Sequence, residues 1–161
     1  MLTIRAAKKT DNEEIWEIFK EVVSAGDTYV YDPSTTMEEF LDHWFGDSVK
    51  TYVAVEGGTL LGTYILKPNQ PGLGSHIANA SYMVREEGRG RGIGSEMCRH
   101  SLKAAKDAGF RAMQFNFVVE TNVGAISLWS KFGFEILGTI PEAFRHPSGR
   151  FVNAHIMYRK L

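Results

Sequence analysis

Residues 85–96 read REEGRGRGIGSE, and glycine occupies every second position from 88 to 94. This run follows an apolar, strand-like segment (76–84) and precedes apolar residues at helical spacing. A glycine-rich turn between a strand and a helix directs free backbone N–H groups and the positive end of the helix dipole toward one point. We therefore predict an anion site at this turn, most often a phosphate site.

Two common phosphate motifs do not fit the spacing of this run. A P-loop requires Gly-Lys followed by Ser or Thr, whereas Gly94 is followed directly by Ser95. The dinucleotide fingerprint requires glycine at its first, third and sixth positions, and a count from Gly90 places Ser95 at the sixth. Both motifs are therefore excluded.

The order of secondary structure follows from hydrophobic periodicity and from turn residues. Together they predict βααβββαβαββ, a mixed α/β chain with one crossover around the glycine run. Two capping boxes are predicted at the starts of the first two helices, Thr10 with Glu13 and Thr35 with Glu38. The length of 161 residues suits one domain that spans residues 1–161.

Charge and composition argue against several classes of partner. The chain has 18 Lys and Arg residues against 19 Asp and Glu, a net charge of −1, so no broad basic surface for nucleic acid is expected. The sequence begins without a leader pattern and contains no apolar run near the roughly 20 residues that span a bilayer. It therefore predicts a soluble, cytoplasmic protein without a membrane partner. The single cysteine, Cys98, cannot form an internal disulfide.

A known family shares the remaining pattern. Residues 89–94, RGRGIG, match Arg/Gln-x-x-Gly-x-Gly/Ala, and residues 121–139, TNVGAISLWSKFGFEILGT, match a second signature, Asn-x-x-Ala-x-x-Leu-Tyr-x-x-x-Gly-Phe. The sequence thereby resembles the Gcn5-related N-acetyltransferase (GNAT) superfamily. The resemblance implies the GNAT fold, a mixed central sheet with splayed fourth and fifth strands and helices on both faces. Residues 64–84 and 115–129 are similar to the fungal subfamily that acetylates the proline analogue azetidine-2-carboxylate.

The resemblance implies a reaction and the residues that bind its cosubstrate. An amine attacks the thioester of acetyl-CoA directly, so neither a protein nucleophile nor a metal is expected. The Tyr82 amide is implied to bind the acetyl oxygen, and the Val84 backbone and Asn122 the pantetheine arm. Asn122 can at the same time cap the helix that it opens. The residues implied to hold the pyrophosphate, mainly through backbone amides, are Arg89, Gly90, Arg91, Gly92, Gly94 and Ser95.

One position departs from the usual family pattern. Trp129 stands where most members have the Tyr that reprotonates the leaving thiolate, and an indole N–H is not a useful acid. Solvent or another residue then supplies the proton, or the chain binds acyl-CoA without turnover. The fungal subfamily also carries Trp here, which makes the departure a subfamily trait.

The acceptor side is less well defined by the sequence. By resemblance, Asn79 and Asn116 line the acceptor site, and asparagine on two predicted strands needs a reason because strands disfavour it. The loop at 26–34, with Tyr29 and Tyr31, and Arg145 of a second loop are expected to cover its far end. Three candidate bases stay open: His76, Glu120 and Asp27.

The expected substrate is a small amine, either an amino acid or a proline-like imino acid. The alternatives are acetylation of a peptide or protein amine, and a non-catalytic acyl-CoA-binding module. The resemblance also implies a homodimer.

Overall fold

The computed structural model describes residues 1–161 and contains the elements in the predicted order. The strands are β1 Leu2–Ala6, β2 Lys50–Glu56, β3 Thr59–Pro68, β4 Ile77–Val84, β5 Ala112–Val119, β6 Glu135–Arg145 and β7 Phe151–Lys160. The helices are α1 Asn12–Ala25, α2 Met37–Trp44, α3 Ile93–Asp107 and α4 Val123–Lys131. None of these helices is both long enough and apolar enough to cross a bilayer.

All strands belong to one seven-stranded sheet in the order β1-β2-β3-β4-β5-β7-β6. Neighbours are antiparallel except for β4 and β5, which run parallel and pair only at Ile77 with Ala112 and Ala78 with Met113. Beyond these two pairs the strands diverge toward their carboxyl ends. The predicted splay of the fourth and fifth strands is confirmed.

Helices cover both faces of the sheet, as the resemblance implied. Side chains alternate between faces along a strand, and the consecutive β3 residues Tyr64 and Ile65 belong to different buried clusters. Tyr64 packs with apolar residues of α3 and α4, whereas Ile65 packs with those of α1 and α2. The mixed α/β GNAT fold is therefore confirmed, with its cores on opposite sides of one sheet.

Both predicted capping boxes are wrong in detail. Helix α1 begins at Asn12, and the residue before it, Asp11, directs its carboxylate back to the Lys8 amide and the Arg5 guanidinium instead. The second box lies one residue later than predicted: the Glu39 amide donates to the Thr36 hydroxyl oxygen, and the Glu39 carboxylate accepts from the Thr36 amide. Adjacent threonines satisfy the same local rule, so only the structure distinguishes them.

Candidate active site

The divergence of β4 and β5 opens a continuous cleft of about 880 Å³. One end of this cleft is formed by the glycine run before α3 and by the start of α4. The other end lies beneath the loop between α1 and α2, which we call the tyrosine loop (residues 26–36). The cleft therefore joins the predicted anion site to the predicted acceptor side.

The backbone of β4 faces this cleft at alternate residues. The Arg85 amide donates to the Leu61 carbonyl of β3 at 2.8 Å, so this residue directs its polar backbone groups toward β3. Residues of opposite parity, Tyr82 and Val84, direct theirs toward the side that β5 has left. The structure thus brings the predicted backbone groups of Tyr82 and Val84 to the cleft.

The Tyr82 amide was predicted to be free, but it has a partner. It donates to the hydroxyl oxygen of Tyr29 at 3.0 Å, and that hydroxyl donates to the Tyr82 carbonyl at 2.6 Å. An unpaired strand edge inside a cleft needs such partners, and the tyrosine loop supplies one. Burial raises the pKa of the Tyr29 hydroxyl, which therefore stays protonated.

The glycine run presents open amides where α3 begins. The first bond of the helix runs from the Glu96 amide to the carbonyl of Gly92, so the amides of Gly94 and Ser95 precede the hydrogen-bonded ladder. Gly90 and Gly92 have φ angles of +73° and +81°, a region that L side chains disfavour. A Cβ built on either glycine meets no atom within 4 Å, so both face open space.

The Arg89 amide, which the resemblance implied to hold the pyrophosphate, already has a partner in the structure, and so does the Arg91 amide. The Arg89 amide donates to the Glu86 carbonyl at 3.1 Å, and the Arg91 amide to the Gly88 carbonyl at 3.3 Å, so tight turns already use both donors. Arg89 still lines the cleft, whereas the Arg91 guanidinium pairs with Glu56 of β2 outside it. The Gly88 amide also has a partner, the Arg85 carbonyl at 2.9 Å, so the open donors are the amides of Gly90, Gly92, Gly94 and Ser95.

The opposite wall of the cleft is formed by α4. Asn122 accepts a hydrogen bond from the Ala125 amide at 3.3 Å and thereby caps α4, and it also lines the cleft. Trp129 is 9% exposed, and its ring centroid lies 4.8 Å from those of both Tyr82 and Phe115. The indole is thus a packed part of the wall beside the open strand edge.

The two predicted acceptor-site asparagines lie on the cleft floor. Asn79 is 9% exposed, and its Nδ2 donates to the Gln114 carbonyl at 2.9 Å, next to the last β4–β5 pair. Asn116 Nδ2 donates to Asn69 Oδ1 at 2.6 Å. Both residues line the cleft, as do Tyr29 and Tyr31 of the tyrosine loop.

Other predicted acceptor-side residues separate into two groups. Asp27 is the one carboxylate that lines the cleft. His76 and Arg145 lie outside it, and Arg145 packs over the Phe151 ring at 5.5 Å. Glu120 also lies outside and accepts from the Asn153 amide of β7 at 2.9 Å.

Two residues at the acceptor end of the cleft were not predicted from the sequence. His43 of α2 and Lys67 of β3 both line the cleft. Partial burial lowers the pKa of His43, and the positive charge of Lys67 lowers it further, so the imidazole is neutral at pH 7. No group of three or more His, Cys, Asp or Glu side chains is arranged to hold a metal ion.

Comparison with known proteins places these features in a family. A family model described as acetyltransferase (GNAT) matches residues 12–134. The chain is 33% identical over 139 residues to the N-acetyltransferase aca1 of Schizosaccharomyces pombe, a match that covers 76% of this chain and 66% of that protein. It is 28% identical over 162 residues to the L-amino acid N-acetyltransferase AaaT of Escherichia coli, covering 98% and 97% of the two chains. A solved GCN5-related N-acetyltransferase from Kribbella flavida superposes with a TM-score of 0.95 at 46% identity, covering 99% of this chain and 98% of that one.

Proposed function

The chain belongs to the acetyltransferase (GNAT) family, and on this basis we propose that it transfers the acetyl group of acetyl-CoA to the amine of a small molecule. The amine attacks the thioester directly, within one N-acetyltransferase domain that spans residues 1–161. The preferred acceptor is an amino acid or a proline-like imino acid.

One observation carries this proposal. A single cleft connects the open amides of the glycine run to a polar end beneath the tyrosine loop, along the unpaired backbone of β4. Amides at a helix start suit the diphosphate of coenzyme A, and an extended strand edge suits its amide-containing pantetheine arm. The thioester of acetyl-CoA then lies near Tyr82, between the glycine run and the acceptor end of the cleft.

The proposed chemistry uses residues that line the cleft. An amine held within about 3–3.5 Å of the thioester carbon reacts without a separate diffusional encounter. The Tyr82 amide is our candidate donor to the oxyanion of the tetrahedral intermediate. Asp27, the one sequence candidate for the base that lines the cleft, is our candidate acceptor of the amine proton. Trp129 supplies a packed wall, and solvent in the open cleft reprotonates the thiolate.

A small acceptor is favoured over a peptide by the roof of the site. The tyrosine loop is attached to the open strand edge through Tyr29, so it covers part of the acceptor end of the cleft. The relative from Escherichia coli is described as an L-amino acid N-acetyltransferase, which agrees with this preference.

Thiol release tests the function directly. With acetyl-CoA and a panel of free amino acids, proline analogues and short peptides, we expect the fastest release with amino or imino acids and the slowest with peptides. The rival that Trp129 supports is a non-catalytic acyl-CoA-binding module. Tight binding of acetyl-CoA without amine-dependent thiol release across the whole panel would establish that rival instead.

The hydroxyl of Tyr29 supports a second prediction. Because it occupies the Tyr82 amide, the acetyl oxygen has to displace it, and a net hydrogen bond contributes about 0.5–1.5 kcal/mol. Tyr29→Phe is therefore expected to tighten acetyl-CoA binding about 2- to 10-fold, measured by calorimetry. Tyr31→Phe is the matched control, since the Tyr31 ring stacks on Tyr29 at 5.9 Å but holds no strand-edge group. Unchanged affinity together with a large loss of kcat would show that the Tyr29 hydroxyl takes part in the reaction instead.

The assembly and location are also proposals. We propose a homodimer in which the outer strands of the sheet meet a second copy. Support comes from exposed apolar side chains on β6 and β7, namely Ile136, Leu137, Ile140 and Phe151, which are 41–61% exposed. The cytoplasmic location stays a prediction from the sequence.

A further inference from the structure

Asn79 and Asn116, which line the acceptor end, are connected by hydrogen bonds through Gln114. Asn79 Nδ2 donates to the Gln114 carbonyl, Gln114 Nε2 donates to Asn116 Oδ1 at 2.9 Å, and Asn116 Nδ2 donates to Asn69 Oδ1. These hydrogen bonds connect the side chains near the point where β4 and β5 begin to diverge. The carboxamides give the floor polarity without giving it a net charge.

Lys67 differs from the rest of this floor. It pairs directly with Asn79 across β3 and β4, so both side chains lie on the sheet face that α1 and α2 cover. Lys67 is half-buried, and the six ion pairs of the chain all involve other residues. An ammonium that lines a cleft and has no ion-pair partner is available to an anionic ligand.

The neighbouring charges leave Lys67 uncompensated. His43, at the same end of the cleft, has a lowered pKa and is neutral at pH 7. Asp27 lines the cleft but forms no ion pair with Lys67. Among the residues that line the cleft, the other arginine or lysine is Arg89, at the glycine end. The acceptor end therefore contains one full, unpaired positive charge.

The position of Lys67 fits one part of an acceptor molecule. Tyr82 lies three residues along β4 from Asn79, about 10 Å at the usual rise of a strand. The reacting amine has to lie near the Tyr82 edge, and a lysine side chain reaching from Lys67 meets the acceptor on the side away from the thioester. In an α-amino or α-imino acid, the carboxylate is attached to the carbon next to the amine and can occupy that side.

We propose that Lys67 binds the carboxylate of the acceptor, so that α-amino and α-imino acids are acetylated in preference to amines of the same shape without a carboxylate. This inference rests on the proposed function and names the group that selects its substrate class. A charge-assisted hydrogen bond of this kind corresponds to a preference of about 10- to 100-fold.

Matched acceptor pairs test the proposal. The pairs are azetidine-2-carboxylate with azetidine, proline with pyrrolidine, and alanine with ethylamine, with kcat/KM expressed per concentration of neutral amine. The wild-type protein is expected to favour each acid at least about 10-fold. In Lys67→Gln that preference is expected to fall toward unity through a rise in the KM of the acid.

Three further variants separate charge from fold. Lys67→Arg keeps the positive charge and is expected to keep the preference. Lys67→Glu is expected to reverse it in favour of the plain amines. Lys50→Gln, on β2 and outside the cleft, is the matched control and is expected to behave as wild type.

The outcomes distinguish this inference from the proposed function. Equal use of acids and plain amines by the wild type, or an unchanged preference in Lys67→Gln, would overturn the role of Lys67 while the transferase function stands. If no acceptor is acetylated, calorimetric titration of proline into the coenzyme A complex decides the matter. Binding that Lys67→Gln weakens supports Lys67 although the transferase function fails, whereas equal or absent binding overturns both.

Discussion

Gly92→Asp is expected to lower the affinity for coenzyme A about 100- to 1000-fold, measured by calorimetric titration. The Cβ at this position meets no atom within 4 Å, so an aspartate side chain fits against the protein and extends into the open space beside the helix start. A carboxylate there lies close to the proposed diphosphate, and two unit charges about 4 Å apart near a protein surface repel by about 4 kcal/mol. The same substitution also places an L residue at a φ of +81°.

Gly58→Asp separates these two effects. Gly58 has a φ of +84°, and its Cβ likewise meets no atom within 4 Å, but it lies in the turn between β2 and β3, outside the cleft. Both variants carry the same charge and a similar backbone strain of about 1–2 kcal/mol, so their thermal stabilities are expected to fall alike. If both bind coenzyme A equally well, the diphosphate does not lie at the glycine run, and the assignment of this cleft is wrong.

The order of the elements could be predicted because local signals determine it. Glycine marks the turns at Gly57 and Gly58, which have positive φ angles, and apolar periodicity changes between strands and helices. The predictions that were wrong concern positions at which local rules allow two equally good answers. Thr35 and Thr36 are both acceptable caps, and the structure uses Thr36.

The last hairpin shows another limit of local reasoning. The strand-like segment FEILGTI (134–140) predicts a strand that ends near Ile140, but β6 continues to Arg145. Pairing with β7 is interrupted between Ile140 and Phe144, where Glu142 adopts a positive φ of 49° and its amide donates to Asn153 Oδ1. A bulge of this kind depends on the neighbouring strand. The proline at position 141, taken alone, indicates the end of a strand, whereas in the structure the strand resumes after it.

The candidate site likewise contains some residues that local motifs predict and others that they do not. The glycine run and Asn122 lie within motifs, and the structure places both at the cleft. The contact between Tyr29 and Tyr82 joins residues 53 positions apart, and no local pattern indicates it. Lys67 was missed because a lysine near the end of a strand is ordinarily solvated, and only its pairing with Asn79 and its place in the cleft lining make it unusual.

Asn79 connects the fold to the site. Parallel pairing of β4 and β5 stops after Ala78 and Met113, and the Asn79 side chain then supplies one more donor to the carbonyl of Gln114. The cleft thus begins where a side chain replaces the backbone ladder. The asparagine at this point donates to the Gln114 carbonyl, and we predict that its own oxygen contacts the acceptor.

Asn79→Ala is expected to lower kcat/KM for the amino-acid acceptor about 100-fold while the affinity for coenzyme A changes less than about threefold. The variant removes a polar group from the floor beside Lys67 and leaves the Gln114 carbonyl unpartnered, which costs about 1–3 kcal/mol of stability. The groups proposed to bind coenzyme A, at the glycine run and along the later part of β4, are unchanged. Steady-state kinetics with proline, calorimetry with coenzyme A and thermal unfolding measure the three effects separately.

Thr51→Val is the control for the loss of stability. The Thr51 hydroxyl is also a buried side-chain donor to a backbone carbonyl, that of Trp44 at 2.6 Å, and Thr51 is likewise 9% exposed. It lies on β2 away from the cleft, so a similar fall in stability is expected without any change in acceptor kinetics. Should coenzyme A affinity collapse in Asn79→Ala and not in Thr51→Val, Asn79 belongs to the cosubstrate side, and the acceptor has to lie elsewhere along the splayed strands.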